Sequence, residues 1–118
     1  MKASLDAGRP VEVEELPTLA DSLGGGIGLD NRLTFAMCRD LLDDVILLSE
    51  DEIAAGIRHA YAQEREIVEG AGAVGIAALL AGKVRVSGPT VVLLSGRNID
   101  MGLHRRIVCG EPVAERAA

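Results

Sequence analysis

Tryptophan is absent from this chain, and one Phe and one Tyr are its whole aromatic complement. The core must therefore be built from Leu, Ile, Val and Ala, within an apolar fraction of 48%. Positive charge is also short: 12 Lys and Arg against 18 Asp and Glu leave a net charge of −6 over 118 residues. That balance argues against nonspecific binding to nucleic acid, whose phosphates need a basic face. Lysine occurs only at Lys2 and Lys83, and the arginines form no basic run. Cys38 and Cys109 lie far apart without metal-type spacing, and suit a reducing compartment as packing residues. The longest apolar run, Ala71 to Ala81, falls short of the about twenty residues that span a bilayer. No cleavable signal sequence is visible at Met1. A soluble cytoplasmic chain, one domain or part of one, is expected. Glycine alone is plentiful, with 14 residues, or roughly twelve per cent against an average near seven.

Taken in order, Met1 to Gly8 reads as a short helix ending at a Gly, and Arg9 to Pro17 as an extended link. Gly24-Gly25-Gly26-Ile27-Gly28 is a Gly-rich loop, but no Lys-Ser/Thr follows, so it is not a P-loop. It reads equally as an active-site loop and as a long turn. Asn31 to Leu42 is a helix with Leu33, Met37 and Leu41 on one face. Val45 to Leu48 reads as a buried strand. Ser49-Glu50-Asp51-Glu52 is a capping box, opening a helix with Ile53, Ile57 and Tyr61 on one face. His59 lies off that stripe and has no partner His or carboxylate pair, so it reads as solvated. Gly70 to Leu80 is a helix of small residues, apolar all round, which must be buried. Glu69 stands at its amino end, where the helix dipole favours a carboxylate. Gly82 is the stop. Asp100 to Val108 reads as a last helix with Leu103 and Ile107 inward. Residues 1–110 form the domain, and Glu111 to Ala118 a frayed tail.

The chain is organised around Thr90 to Asp100. The apolar run Thr90 to Leu94 reads as a strand buried on both faces, as in parallel sheets covered by helices. Ligands in open α/β sheets bind just beyond the carboxyl ends of strands, which is where Ser95, Gly96 and Asn98 stand. A plain polar turn closing a core strand fits the same pattern. The fold class is α/β with parallel strands packed by helices. Two or three strands are few for such a sheet, and the small-residue helix needs more cover than the chain provides. Another part of the protein, or a partner, is therefore expected.

Two further patterns are weaker. Gly70, Gly72 and Gly75 spell the dinucleotide fingerprint, but only Ile67-Val68 leads into it and no acidic residue closes the next strand. Ser95 lacks the G-x-S-x-G frame of a hydrolase nucleophile.

Leu94-Ser95-Gly96-Arg97-Asn98-Ile99-Asp100 resembles the SGGN-I/V-D motif of the threonine dehydratase and serine racemase family, pyridoxal-phosphate enzymes of fold type II. Three other segments resemble that family in order and spacing. They are Thr18-Leu19-Ala20-Asp21, then Asp43-Asp44-Val45 through Ile53, and Glu69-Gly70-Ala71-Gly72-Ala73 through Lys83. The Gly-rich Ser22 to Asp30 and the Ser95-Gly96-Arg97-Asn98 form are most similar to a hydroxyectoine-utilisation dehydratase subgroup. The resemblance covers the carboxyl-terminal part of the family's large domain.

The resemblance implies a cofactor, pyridoxal 5'-phosphate, and cofactor-binding residues Ser95, Gly96, Asn98 and Glu69. Ser95 would donate to the pyridine nitrogen, since a neutral hydroxyl can donate to an unprotonated ring nitrogen. Such a ring is a weaker electron sink, which suits β-elimination over transamination. Gly96 would let the backbone approach the ring. Asn98 would fix the loop and Glu69 would make polar contact beside the cofactor; a turn-capping Asn and a dipole-stabilising Glu fit as well. The implied reaction takes a β-hydroxy amino acid of threonine or serine type to a keto acid and ammonia. Neither Lys2 nor Lys83 sits in a motif matching the family's Schiff-base lysine, so no catalytic residue is assigned and the chain alone is expected to be inactive. Its expected partners are the small amino acid substrate, the missing amino-terminal portion and, when complete, further copies of itself. No metal, nucleic acid or membrane partner is assigned. Arg97 departs from the family's second glycine, and Ser22 from the glycine after Ala-Asp. A non-catalytic α/β binding module is the alternative, and a dinucleotide-binding domain a lesser one.

Overall fold

The computed structural model describes residues 1–112 and divides the chain into two compact units. The first comprises Met1–Leu16 and Gly24–Leu47; the second comprises Pro17–Leu23 and the chain from Leu48 onward.

In the first unit, α1 (Lys2–Ala7) ends where Gly8 takes a left-handed conformation, as the sequence suggests. It packs on α2 (Leu33–Leu41). The buried Ser4 hydroxyl accepts the Val11 N–H at 3.1 Å and ties the link after α1 back to the helix. The Asn31 carboxamide oxygen accepts from Thr34 Oγ1 at 2.6 Å and from the Phe35 N–H at 2.9 Å, satisfying donors at the start of α2. The Gly-rich loop belongs to this unit. The stripe of α2 is a correction: Leu33 is 81% exposed and Met37 and Leu41 are also exposed, whereas Phe35 is buried. Residues two apart on a helix point roughly 200° apart, so burying Phe35 turns the Leu33 stripe outward.

In the second unit, Ser49 and Glu52 form the expected capping box at the start of α3 (Glu50–His59). The helix continues as a single π-helical turn, Ala60–Glu64. A π turn inserts an extra residue into the helical register. Ala60 is buried, as a residue three after Ile57 on the same face would be, while Tyr61, expected beside Ile57, is 48% exposed. Arg65 closes the turn in a left-handed conformation. Next comes α4 (Gly70–Leu80), with seven of its eleven residues buried, as its composition requires. It packs along α3 over a core of Ile53, Ile57, Val68, Ala73 and Ile76. Gly82 ends it: the Gly82 N–H donates to the Leu79 carbonyl at 3.0 Å and the Lys83 N–H to the Ala78 carbonyl at 3.0 Å. The last helix, α5 (Met101–Val108), is capped by Asp100, whose carboxylate accepts the Leu103 N–H at 2.8 Å. Ile107 is buried as expected, Leu103 packs at the core's edge, and His104 is buried beside them.

Two expected strands are a further correction. Neither Val45–Leu48 nor Thr90–Leu94 forms a strand, and no strand occurs among the described residues. A strand needs a partner's N–H and C=O groups, and none of the described residues supplies a ladder. Within Thr90–Leu94, Val92 packs against the core beside Gly75 of α4. Its alternate side chains stay open, Val91 94% and Leu93 78% exposed.

Cys109, expected as a packing residue, is exposed at the end of α5, while Cys38 is partly buried; both are free thiols. Of the expected frayed tail, Glu111 is paired with Arg105 at 2.6 Å, and residues 113–118 lie outside the described residues. Among the described residues no helix is long and apolar enough to cross a membrane.

Candidate functional site

Three segments far apart in sequence converge in the second unit: Thr18 to Ser22, the amino end of α4, and Ser95 to Asn98. Each is fixed by backbone groups.

The first segment is pinned by Glu50. Its carboxylate accepts the Thr18 hydroxyl at 2.6 Å and the Leu19 N–H at 2.7 Å, and the Ala20 N–H donates to Thr18 Oγ1 at 3.1 Å. Asp21 then opens a 3-10 turn, Asp21–Leu23. In the run Ser49-Glu50-Asp51-Glu52 only the local capping pair is legible from spacing. That Glu50 reaches back 31 residues is not.

The second and third segments clasp each other. The Glu69 N–H donates to the Gly96 carbonyl at 3.1 Å. The Asn98 N–H donates to Glu69 Oε2 at 2.9 Å. The packing leaves no room for a methyl group: a Cβ on Gly72 would lie 2.6 Å from the Gly96 oxygen, and one on Gly96 would fall on the Glu69 carboxylate. A Cβ on Gly70 would likewise fall on the Leu19 carbonyl, so the first segment is held against the same helix end. The glycines that mimic a dinucleotide fingerprint are thus spent on close approach of three backbones.

Ser95, Gly96, Asn98 and Glu69 are therefore brought together. Ser95 and Asn98 are exposed, and Gly96 and Glu69 partly buried. The Ser95 hydroxyl has no hydrogen-bond partner among the described residues, so its donor stays available. Glu69 is the N-cap residue of α4, yet its side chain makes no capping bond. It is turned to the Asn98 N–H instead, a different use from the dipole contact read from the sequence.

A model of the family described as pyridoxal-phosphate dependent enzyme matches residues 1–96. The chain belongs to this family. A putative threonine dehydratase of Sinorhizobium fredii is 68% identical over 111 residues, 93% of this chain and 33% of that protein. An L-threonine ammonia-lyase of Thermotoga maritima is 40% identical over 109 residues, 92% of this chain and 26% of that protein. The chain thus spans 33% and 26% of the length of these two relatives. Among solved structures, a threonine deaminase from T.th. superposes with a TM-score of 0.68 at 32% identity, over 84% of this chain and 36% of that one. Serine racemase of Dictyostelium discoideum does so with a TM-score of 0.63 at 27% identity, over 84% of this chain and 31% of that one. The chain is therefore part of a fold type II pyridoxal-phosphate enzyme domain, as expected from the sequence, although the parallel strands of that α/β class do not form among the described residues.

The residues present suit a pyridine ring. An unpaired neutral hydroxyl at Ser95 can donate to a ring nitrogen. Glu69, the carboxylate that touches this turn, accepts the Asn98 backbone N–H through Oε2. The lysines lie elsewhere: Lys2 pairs with Asp6 at 2.6 Å and Lys83 with Glu52 at 2.8 Å. Among the described residues no group of three His, Cys, Asp or Glu converges as a metal site.

A separate cleft of about 420 Å³ in the second unit lies between His59 and Glu64 on one side and Ile76, Leu79, Val92 and Leu94 on the other. It contains none of the four motif residues. His59 is not free in solvent as expected but approaches Glu64 at 3.5 Å. The motif residues, rather than this cleft, form the candidate site, because the Glu69 N–H and carboxylate both bond the turn that follows Ser95.

Proposed function

We propose that this chain is part of a pyridoxal-phosphate dependent ammonia-lyase. Its substrate is a β-hydroxy amino acid of threonine or serine type, and β-elimination leads to a keto acid and ammonia. The Ser95-Gly96-Arg97-Asn98 form and the Gly-rich Ser22 to Asp30 favour a substrate met in hydroxyectoine degradation. The observation that carries the reading is the two-bond clasp of Glu69 on the Gly96–Asn98 turn, directly after an unpaired Ser95 hydroxyl.

Bound there, pyridoxal phosphate supplies the electron withdrawal that acidifies the α-proton of an amino acid. The chain's own residues do the rest. Ser95 Oγ would hold its proton and offer it as a hydrogen bond to an unprotonated ring nitrogen. Gly96 leaves room for the Glu69 carboxylate that holds the turn. Asn98 contributes its backbone N–H to the turn. Catalysis needs a Schiff-base lysine from a segment other than those of Lys2 and Lys83, so the chain alone is inactive, and the complete enzyme is a homo-oligomer.

The test is titration of the 118-residue chain with pyridoxal phosphate, followed by NMR shifts. Shifts should concentrate at Ser95, Gly96 and Asn98, and Ser95→Ala should weaken binding roughly tenfold, the worth of one hydrogen bond to a strong acceptor. Shifts elsewhere, or binding unaffected by Ser95→Ala, would remove Ser95 from the site. Keto acid formation from L-threonine by the chain alone, above background, would overturn its inactivity.

A further inference from the structure

We propose that Glu69 is a positioning residue for Ser95, acting through the Gly96–Asn98 turn rather than by touching the cofactor. The proposal rests on the reading that Ser95 meets the pyridine nitrogen.

Glu69 makes two bonds to one short turn. Its backbone N–H donates to the Gly96 carbonyl, and its carboxylate accepts from the Asn98 N–H. One bond would set a distance. Two bonds to residues two apart also set the orientation of the turn. The carboxylate does this at the expense of its local option. An N-cap side chain ordinarily accepts from the first turn of its own helix, and Glu69 makes no such bond. Accepting a backbone N–H on a carboxylate is charge-assisted and stronger than a neutral bond.

The clasp also has no slack. Gly96 is pressed between the Glu69 carboxylate on one side and Gly72 of α4 on the other. Ser95 precedes Gly96 directly, at about 3.8 Å between Cα atoms. Any shift of the turn is therefore carried to the Ser95 hydroxyl.

Charge and geometry make opposite demands here, which allows a sharp test. Glu69→Gln loses the charge but keeps an acceptor oxygen at the same reach. Glu69→Asp keeps the charge but shortens the reach by one methylene. Glu69→Ala removes both. Positioning requires that the Gln variant be perturbed less than the Asp and Ala variants, because it alone keeps an acceptor at the native reach.

The measurement is amide hydrogen exchange at Asn98, with the amide shifts of Ser95 and Gly96, on the ligand-free 118-residue chain. In Glu69→Ala and Glu69→Asp, Asn98 should exchange roughly tenfold faster or more, and the Ser95 amide shift should move. Glu69→Gln should fall between the wild type and Glu69→Asp, since a neutral acceptor at the same reach retains roughly half of the charge-assisted bond. Should Glu69→Ala not fold, the Asp and Gln pair makes the same comparison. Unchanged Asn98 exchange in the Asp variant, or a Gln variant as perturbed as Asp, overturns the proposal. These readouts need no cofactor. Failure of the pyridoxal-phosphate titration would therefore count against the proposed function, and failure of the exchange pattern against the role of Glu69.

Discussion

Gly56 of α3 lies so close to Ala73 of α4 that a Cβ on it would sit 2.8 Å from the Ala73 carbonyl oxygen and 2.9 Å from the Ala77 Cβ. Two helices that meet this closely have a groove made by a missing side chain. The crossing also orients the amino end of α4, which carries Glu69. Gly56→Ala should destabilise the chain by about 1–3 kcal/mol, the usual range for overpacking. Urea denaturation measures it. A variant as stable as the wild type would show that the helices can part without loss.

Ile57 is fully buried, whereas Leu33 is 81% exposed. Ile57→Ala should cost about 2–5 kcal/mol through lost burial and a cavity. Leu33→Ser should change stability by no more than about 0.5 kcal/mol, the range for exposed sites. Equal losses in the two variants would mean that the Leu33 face is covered in solution.

His104 is 2% exposed, with its Nε2 atom lacking a hydrogen-bond partner among the described residues. Its ring meets Tyr61 edge-on at 5.2 Å. A buried unsatisfied nitrogen costs about 1–3 kcal/mol. His104→Phe keeps the aromatic edge and removes that cost, so it should raise the thermal midpoint. A lower midpoint would indicate that the imidazole nitrogen has a partner, such as an ordered water.

The Lys83 ammonium holds the Glu52 carboxyl below its usual range, helped by the Ser49 N–H. A carboxyl depressed in the folded state contributes stability above its ordinary value and loses it as the pH falls through the folded one. The wild type should therefore be more stable than Glu52→Gln near neutrality. The gap should close as the pH falls below the ordinary carboxylate range. Urea midpoints across that range decide it, and a pH-independent gap would rule out the linkage.

Local signals were legible where one segment answers itself. Ser49 and Glu52 are three residues apart and cap each other, so their box is visible in the spacing. Gly8 and Gly82 stop helices for reasons carried by their own backbones. The small, wholly apolar composition of residues 70–80 has one stable outcome, burial, whatever covers it. The resemblance carried by Ser95-Gly96-Arg97-Asn98 likewise named the family before any coordinate was placed.

Long-range choices were not legible. A helix with apolar residues on two sides, such as α2, does not say whether Phe35 or Leu33 turns inward. Val91 and Leu93 are strand-like in composition, but a strand is a property of two segments, and its partner's donors and acceptors are not written in its own residues. Tyr61, which simple helical spacing puts beside Ile57, is half exposed and meets the distant His104 ring edge-on. The sequence by itself therefore determined the helices, their caps and the family, because these depend on neighbours within a few positions. Only the tertiary structure decided that Glu50 and Glu69 each hold a distant loop in place. A carboxylate's partner 29 or 31 residues away is chosen by how the backbones meet, not by how the residues are spaced.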